Sequence, residues 1–272
     1  MFVSQAAVGQ QMKRLEDRLQ VALFDRTQKT PKLNQLGKAL IPKAREVVRM
    51  YDSMLDDLTG EAALIGELKL GAIASHIGGL IPLSIKRLIE TYPKLHIQVV
   101  PGISEDLAEQ VERGTLDAAV IAKQTDLGHN MQWQPFTQEE LVLLTAAEVE
   151  EDDPVTLLKK MPYIQHNRRA TVAKLANEWL RKNNISVTAS MEMESLDVIC
   201  SMVAHNLGIS IVPNLCVADP LFSSLKKIPL SNQASPRIVG LVTQADCSKS
   251  LLVDKLLDEL KSTVIISKSR QP

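Results

Sequence analysis

Val3-Ser4-Gln5-Ala6-Ala7-Val8-Gly9-Gln10-Gln11-Met12-Lys13-Arg14-Leu15-Glu16 decides how the rest of the chain is read. Ser4 is a good N-cap, and Val8, Met12, Leu15 and Leu19 follow at spacings of 4, 3 and 4. That is the apolar stripe of a helix from about Gln5 to Leu19. Gln5, Gly9, Gln10 and Lys13 fall on or beside its exposed side. Glutamine pairs with the edge of adenine, and lysine with guanine or phosphate, so these residue types suit contact with a nucleic acid. An ordinary solvated helix face would look the same.

The next residues separate the two readings. Val21, Leu23 and Phe24 make a short apolar knot, and Arg26-Thr27-Gln28-Lys29-Thr30-Pro31-Lys32 reads as a turn or wing bearing Arg26, Lys29 and Lys32. Leu33 returns the chain to the core and Asn34 caps a further helix. A helix followed by a basic wing is the signature of a winged helix-turn-helix, in which the wing grips the backbone beside the groove. Charge agrees. Residues 1–50 carry ten basic and four acidic residues, a net +6, which leaves −7 on the remainder of a chain whose total is −1. A basic arm on an acidic body implies that one end meets a polyanion.

From Leu40 a seven-residue repeat takes over, with Leu40, Ala44, Val47, Tyr51, Met54 and Leu58 flanked by charged residues. A seam this narrow and sustained points to dimerisation through a paired helix; packing against the body of the same chain is the other reading. Pro42 should kink or restart the helix, and Gly60 should end it. From residue 66 the text alternates between strand and helix. Strands are expected at Leu68–Ile73, Ile97–Val100, Asp117–Ile121, Leu141–Thr145, Met191–Met193 and Ile209–Val212. Helices are expected at Ile77–Thr91 and Glu105–Arg113, near Thr171–Lys182 and near Asp197–His205. Gly114 and Gly208 stand where a left-handed residue should close a helix. The alternation implies an α/β fold with parallel sheets covered on both faces, and ligands beyond the carboxyl ends of the strands.

Several classes fall away on composition. No apolar run is long enough to span a membrane, and no secretory signal is visible. Cys200, Cys216 and Cys247 form no CxxC pair, which favours reduced, structural thiols in the cytoplasm. The histidines include no HxxxH or HxxE pair, so neither a metal site nor a cofactor is expected. There is no GxSxG elbow, Walker loop or GxGxxG after a strand, so an enzyme is not expected.

The chain resembles the LysR-type family of bacterial transcription regulators over nearly its whole length. Val3–Glu16 looks like that family's recognition helix, Leu23-Phe24-Asp25-Arg26-Thr27 the approach to its wing, and Leu33-Asn34-Gln35-Leu36-Gly37 the return. Tyr92-Pro93, Gly114-Thr115-Leu116-Asp117 and Leu207-Gly208-Ile209-Ser210-Ile211-Val212-Pro213 match its sensing domain. The resemblance implies a partial winged helix-turn-helix in 1–35, a linker and dimerisation helix in 36–65, and an effector domain like the periplasmic binding proteins of type 2. The latter's subdomains would be 66–138 with 241–267, and 139–240. The DNA contacts would be Ser4, Gln5, Gln10, Lys13, Arg14, Arg26, Lys29 and Lys32. The chain departs from the family in placing only Met1, Phe2 and Val3 before Ser4, where two helices are usual. The expectation is a shortened start, with Val8, Met12 and Leu15 missing part of their cover. Gln20 replaces a usual glycine, at a cost of about 1 kcal/mol if φ is positive there, and Asn206 stands where a glycine is frequent.

In such a domain the effector sits between the subdomains, against strand ends and helix starts. The candidates are Ser75 and His76, then Gly102, Ile103 and Ser104, and across the cleft His166 and Asn167 with Glu194 and Ser195. Free N–H groups at helix starts favour a small carboxylate or other anion, and Arg168 and Arg169 could add charge. Simple helix caps, or structural histidines, would leave the same residues in place. The expected partners are promoter DNA, a small anionic effector and further copies of the chain, as a dimer and then a tetramer. A shortened regulator that dimerises and binds effector but holds DNA poorly is the nearest alternative. A solute-binding protein or an α/β enzyme is the alternative of another class.

Overall fold

The computed structural model describes residues 5–25, 31–41, 43–44, 47, 66–217, 220–230 and 234–269. They fall into two units, Met1–Thr59 and Gly60–Pro272.

In the first unit, α1 spans Gln5–Leu19. Its stripe is only partly covered: Met12 and Leu15 are half-buried, while Val8 and Leu19 are 47% and 44% exposed. Gln20 then turns the chain with φ 53°, a left-handed conformation that suits glycine better. Glu16 secures the turn, accepting the Leu23 and Phe24 backbone N–H groups at 2.7 and 3.2 Å. β1 (Phe24–Asp25) pairs antiparallel with β2 (Lys32–Leu33), the base of a wing. Asn34 caps the helical residues 35–41, its Oδ1 accepting from the Gly37 N–H at 2.8 Å. Of the heptad seam, Leu40 is half-buried and Ala44 and Val47 are exposed. Tyr51, Met54 and Leu58, with Pro42 and Gly60, lie outside the described residues.

The second unit begins with β3 (Gly66–Ile73), α2 (Ala74–Ile77), α3 (Leu80–Thr91), β4 (Leu95–Gly102), α4 (Ser104–Glu112) and β5 (Ala118–Ala122). Two long strands, β6 (Met131–Glu139) and β12 (Arg237–Gln244), pair antiparallel and link its two halves. They complete a five-stranded sheet of order β4-β3-β5-β12-β6. All five residues of β5 are buried because the sheet is covered on both faces. Ala118 and Val120 pack with Leu88, Leu256 and Leu260 on one side, whereas Ala119 and Ile121 pack with Leu107 and Val111 on the other. Leu256 and Leu260 belong to the last helix, α9 (Ser250–Ser269).

The other half contains β7 (Leu141–Thr145), α5 (Pro154–Lys160), β8 (Tyr163–His166), α6 (Thr171–Lys182), β9 (Ala189–Met193), α7 (Leu196–Ala204), β10 (Ser210–Pro213), α8 (Pro220–Ser224) and β11 (Lys226–Pro229). β7 repeats the two-sided pattern of β5. Leu141 and Leu143 pack with Trp179, and Val142 and Leu144 with Ile199 and Phe222.

Three expectations are corrected. The sheets are mixed: β3 runs parallel to β4 and β5, but β12 is antiparallel to its neighbours, and β10-β7-β11 is antiparallel throughout. The helix expected over Ile77–Thr91 breaks at Gly78–Gly79, poor helix formers. Gly114 does close α4 with φ 71°, but after α7 the left-handed residue is Asn206 (φ 54°) rather than Gly208. Gly208 serves close approach instead, since a Cβ there would lie 2.6 Å from the Pro162 carbonyl oxygen.

Candidate functional site

β3 and β4 run parallel and end side by side, Ile73 opposite Gly102. The chain leaves each strand into a helix, so Ser75 and Ser104 arrive together at the carboxyl edge of the sheet. From the other half, His166 at the end of β8, Thr171 at the start of α6 and Glu194 after β9 face them. These residues line one cleft together with Gly102, Ile103 and Arg237. α4 and α6 begin without side-chain caps at Ile103 and Ala170, so their first N–H groups keep their capacity for a ligand. Ser104 is held in place by accepting the Ala122 N–H at 3.1 Å.

Arg237 forms the charged floor. It is 4% exposed, donates through Nη1 to Ser75 Oγ at 3.1 Å, and donates through Nε and Nη2 to Glu139 Oε2. Glu139 Oε1 accepts the Cys216 N–H at 2.8 Å. Burial alone would raise the Glu139 pKa, but Arg237 and His76 outweigh it and hold the carboxylate at about 2. His166 is lowered to about 4, by burial first and then by Arg237, so it is a neutral imidazole at pH 7.

Two ion pairs cross the rim of the cleft. Arg169 Nη2 meets Asp106 Oδ1 at 2.6 Å, and Lys174 pairs with Glu105. Gln124 Nε2 also donates to Thr171 Oγ1 at 3.3 Å. The charged pairs are largely exposed, so each contributes little stability.

Among the residues expected to meet an effector, Ser75, Gly102, Ile103, Ser104, His166 and Glu194 line this cleft. The other three do not. His76 is fully enclosed behind the floor. Asn167 folds a turn, its Oδ1 accepting the Arg169 N–H at 2.9 Å. Ser195 is the N-cap residue of α7, its carbonyl accepting the Ile199 N–H. The extra charge expected from Arg168 and Arg169 is committed elsewhere, to Glu192 and Asp106. Arg237 and Thr171 were missed. Arg237 opens a strand in the unremarkable text Ser235-Pro236-Arg237-Ile238, where nothing local marks it.

Of the residues expected to meet DNA, Gln10, Lys13 and Arg14 are exposed at i, i+3 and i+4 on α1, and Lys32 is exposed on β2. Gln5 lies in α1. Ser4, Arg26 and Lys29 lie outside the described residues.

Comparison with known proteins agrees with both units. Residues 1–38 match the model of the bacterial regulatory helix-turn-helix protein, lysR family, and residues 61–264 match the LysR substrate binding domain. A probable RuBisCO transcriptional regulator of Thalassiosira pseudonana is 26% identical over 96% of this chain and 89% of its own length. The hydrogen peroxide-inducible genes activator of Haemophilus influenzae is 26% identical over 88% of this chain and 81% of its own. Among solved structures, a full-length OxyR variant of Pseudomonas aeruginosa superposes with a TM-score of 0.71 at 23% identity, covering 99% of this chain and 90% of that one.

Proposed function

The chain belongs to the LysR family of bacterial transcription regulators, and on that premise we propose that a small carboxylate in the Ser75–Arg237 cleft sets its grip on promoter DNA. It is a DNA-binding regulator with an effector domain, not an enzyme.

The buried Arg237 guanidinium carries the proposal. Its bonds to Glu139 and Ser75 use three N–H groups, and a guanidinium has five. Donors therefore remain for an anion, beside the uncapped starts of α4 and α6. Glu194 on the facing wall takes a hydrogen-bond donor, so the effector carries a hydroxyl or ammonium group away from its carboxylate. The base contacts of this reading are Ser4, Gln5, Gln10, Lys13 and Arg14, and its backbone contacts are Arg26, Lys29 and Lys32. Chains pair through residues 36–60 and pair again through the effector domains to give a tetramer. Effector shifts the DNA-binding arms by binding one arrangement more tightly than the other. The protein works in the cytoplasm, where its DNA is; no helix among the described residues is long and apolar enough to cross a membrane.

Thermal denaturation in the presence of a panel of small hydroxy- and amino-carboxylates, each paired with the amide that lacks the carboxylate charge, tests the effector class. At least one acid should raise the melting temperature while its amide does not. Equal effects of acids and amides would reject an anionic effector.

A further inference from the structure

Behind the cleft floor lies a second cluster that effector binding does not use. His76 comes from α2 in one half, Glu139 from the end of the linking strand β6, and Cys216 from the segment after β10 in the other half. Each is buried, and one ligand atom from each lies within 4.8 Å of the other two. His76 Nε2 and Glu139 Oε1 are 3.8 Å apart, too far for a hydrogen bond but a span that two ligands of one ion can bridge with bonds of about 2.0–2.2 Å. Neither ring nitrogen of the fully enclosed His76 has a hydrogen-bond partner. Interiors pair nearly all of their buried polar atoms, so two unpartnered ring nitrogens beside one carboxylate point to a ligand.

We propose that His76, Glu139 and Cys216 bind one divalent zinc-type ion. Imidazole nitrogen, thiolate sulfur and carboxylate oxygen are the ligands zinc takes, and the sulfur disfavours magnesium and calcium. Binding drives the Cys216 thiol proton to solvent, so the thiolate joins the Glu139 carboxylate in offsetting two of the three positive charges that the ion and Arg237 bring together. Arg237 does not compete, because it holds Oε2. Oε1 keeps a lone pair for the ion beside the one that accepts the Cys216 N–H. Arg237 thereby orients the carboxylate ligand. The ligands come from both halves of the unit and the strand joining them, so the ion ties the halves together below the effector. Sequence spacing gave no hint of the site, since the ligands stand at 76, 139 and 216.

The test is cobalt titration of the purified full chain, stripped with a chelator and kept reduced. One equivalent should produce a thiolate-to-cobalt charge-transfer band and tetrahedral visible bands, both removed by zinc. Cys216→Ser should abolish the charge-transfer band, and Cys247→Ser should leave it intact. His76→Gln should weaken binding by at least the roughly tenfold that loss of even an outer partner costs. Absence of a saturable band, or a band that survives Cys216→Ser, overturns the proposal. If the Cys216→Ser chain does not fold, native mass spectrometry of the unaltered chain decides. One zinc held per chain supports the site, and a zinc-free mass after zinc loading overturns it.

Discussion

Arg237 and Glu139 stand opposite one another where the two linking strands meet, and Arg237 Nε donates to Glu139 Oε2 at 3.0 Å. Both side chains are almost fully enclosed. The pair thus does two things at once: it fixes the join between the halves of the effector domain, and it presents the charged floor of the cleft.

Removing only the cation should be far worse than removing both charges. Arg237→Met leaves the Glu139 carboxylate buried without its partner and should cost about 3–5 kcal/mol in urea unfolding. Adding Glu139→Leu should recover most of that loss, because the stranded charge goes with it. A double variant no more stable than Arg237→Met would show that the pair is not energetically coupled.

Acid sensitivity should carry the mark of His166. Burial, helped by Arg237, lowers it from 6.5 to about 4. Between those values the unfolded chain binds a proton that the folded chain does not, so stability rises with pH across that window. Its contribution is complete above about pH 6.5 and is lost as pH falls toward 4. His166→Gln should flatten the slope of melting temperature against pH there. An unchanged slope would mean that His166 titrates normally in the fold.

On the DNA side, Lys32 extends from the wing strand β2 as an exposed cation. Lys32→Ala should weaken binding to all duplexes alike and reduce the slope of log affinity against log salt by about 1. Gln10→Ala should instead relax preference at particular bases with little change in that slope. The two are separated by anisotropy titrations over a salt series. If Lys32→Ala altered base preference and spared the salt slope, the wing assignment would be wrong.

Strain at Gln20 should also be measurable. Its φ of 53° is left-handed, so Gln20→Gly should stabilise the first unit by up to about 1 kcal/mol. Loss of the bond from Gln20 Nε2 to the Asp17 carbonyl oxygen offsets part of the gain. Gly208→Ala should go the other way, because its Cβ would press on the Pro162 carbonyl. Differential scanning calorimetry reports both, and a destabilised Gln20→Gly chain would contradict the strain.

What could be read from sequence was what periodicity and local turn chemistry encode. The stripe Val8, Met12, Leu15 and Leu19 gave α1 from Gln5 to Leu19, and Asn34 could be recognised as a cap. Six cleft residues could be named because parallel strands place their following loops at one edge. β6 and β12 went unread, since Met131-Gln132-Trp133-Gln134-Pro135 looks like a polar loop until its partner strand is known. Arg237 and Glu139 are 98 residues apart, and no spacing rule joins them. Position between the end of β3 and the start of α3 makes His76 as good a cleft candidate as Ser75. In fact the turn into α2 puts Ser75 on the surface of the cleft and His76 behind it.

One measurement addresses the central claim most directly. Duplexes enriched by the chain from a random DNA library are titrated with and without the carboxylate that raises its melting temperature, using the unaltered chain and Ser104→Ala. The expected result is a carboxylate-dependent change in affinity or footprint for the unaltered chain that Ser104→Ala needs far more carboxylate to reach. A carboxylate that stabilises the chain yet leaves DNA affinity and footprint unchanged would contradict it, as would an identical response in Ser104→Ala.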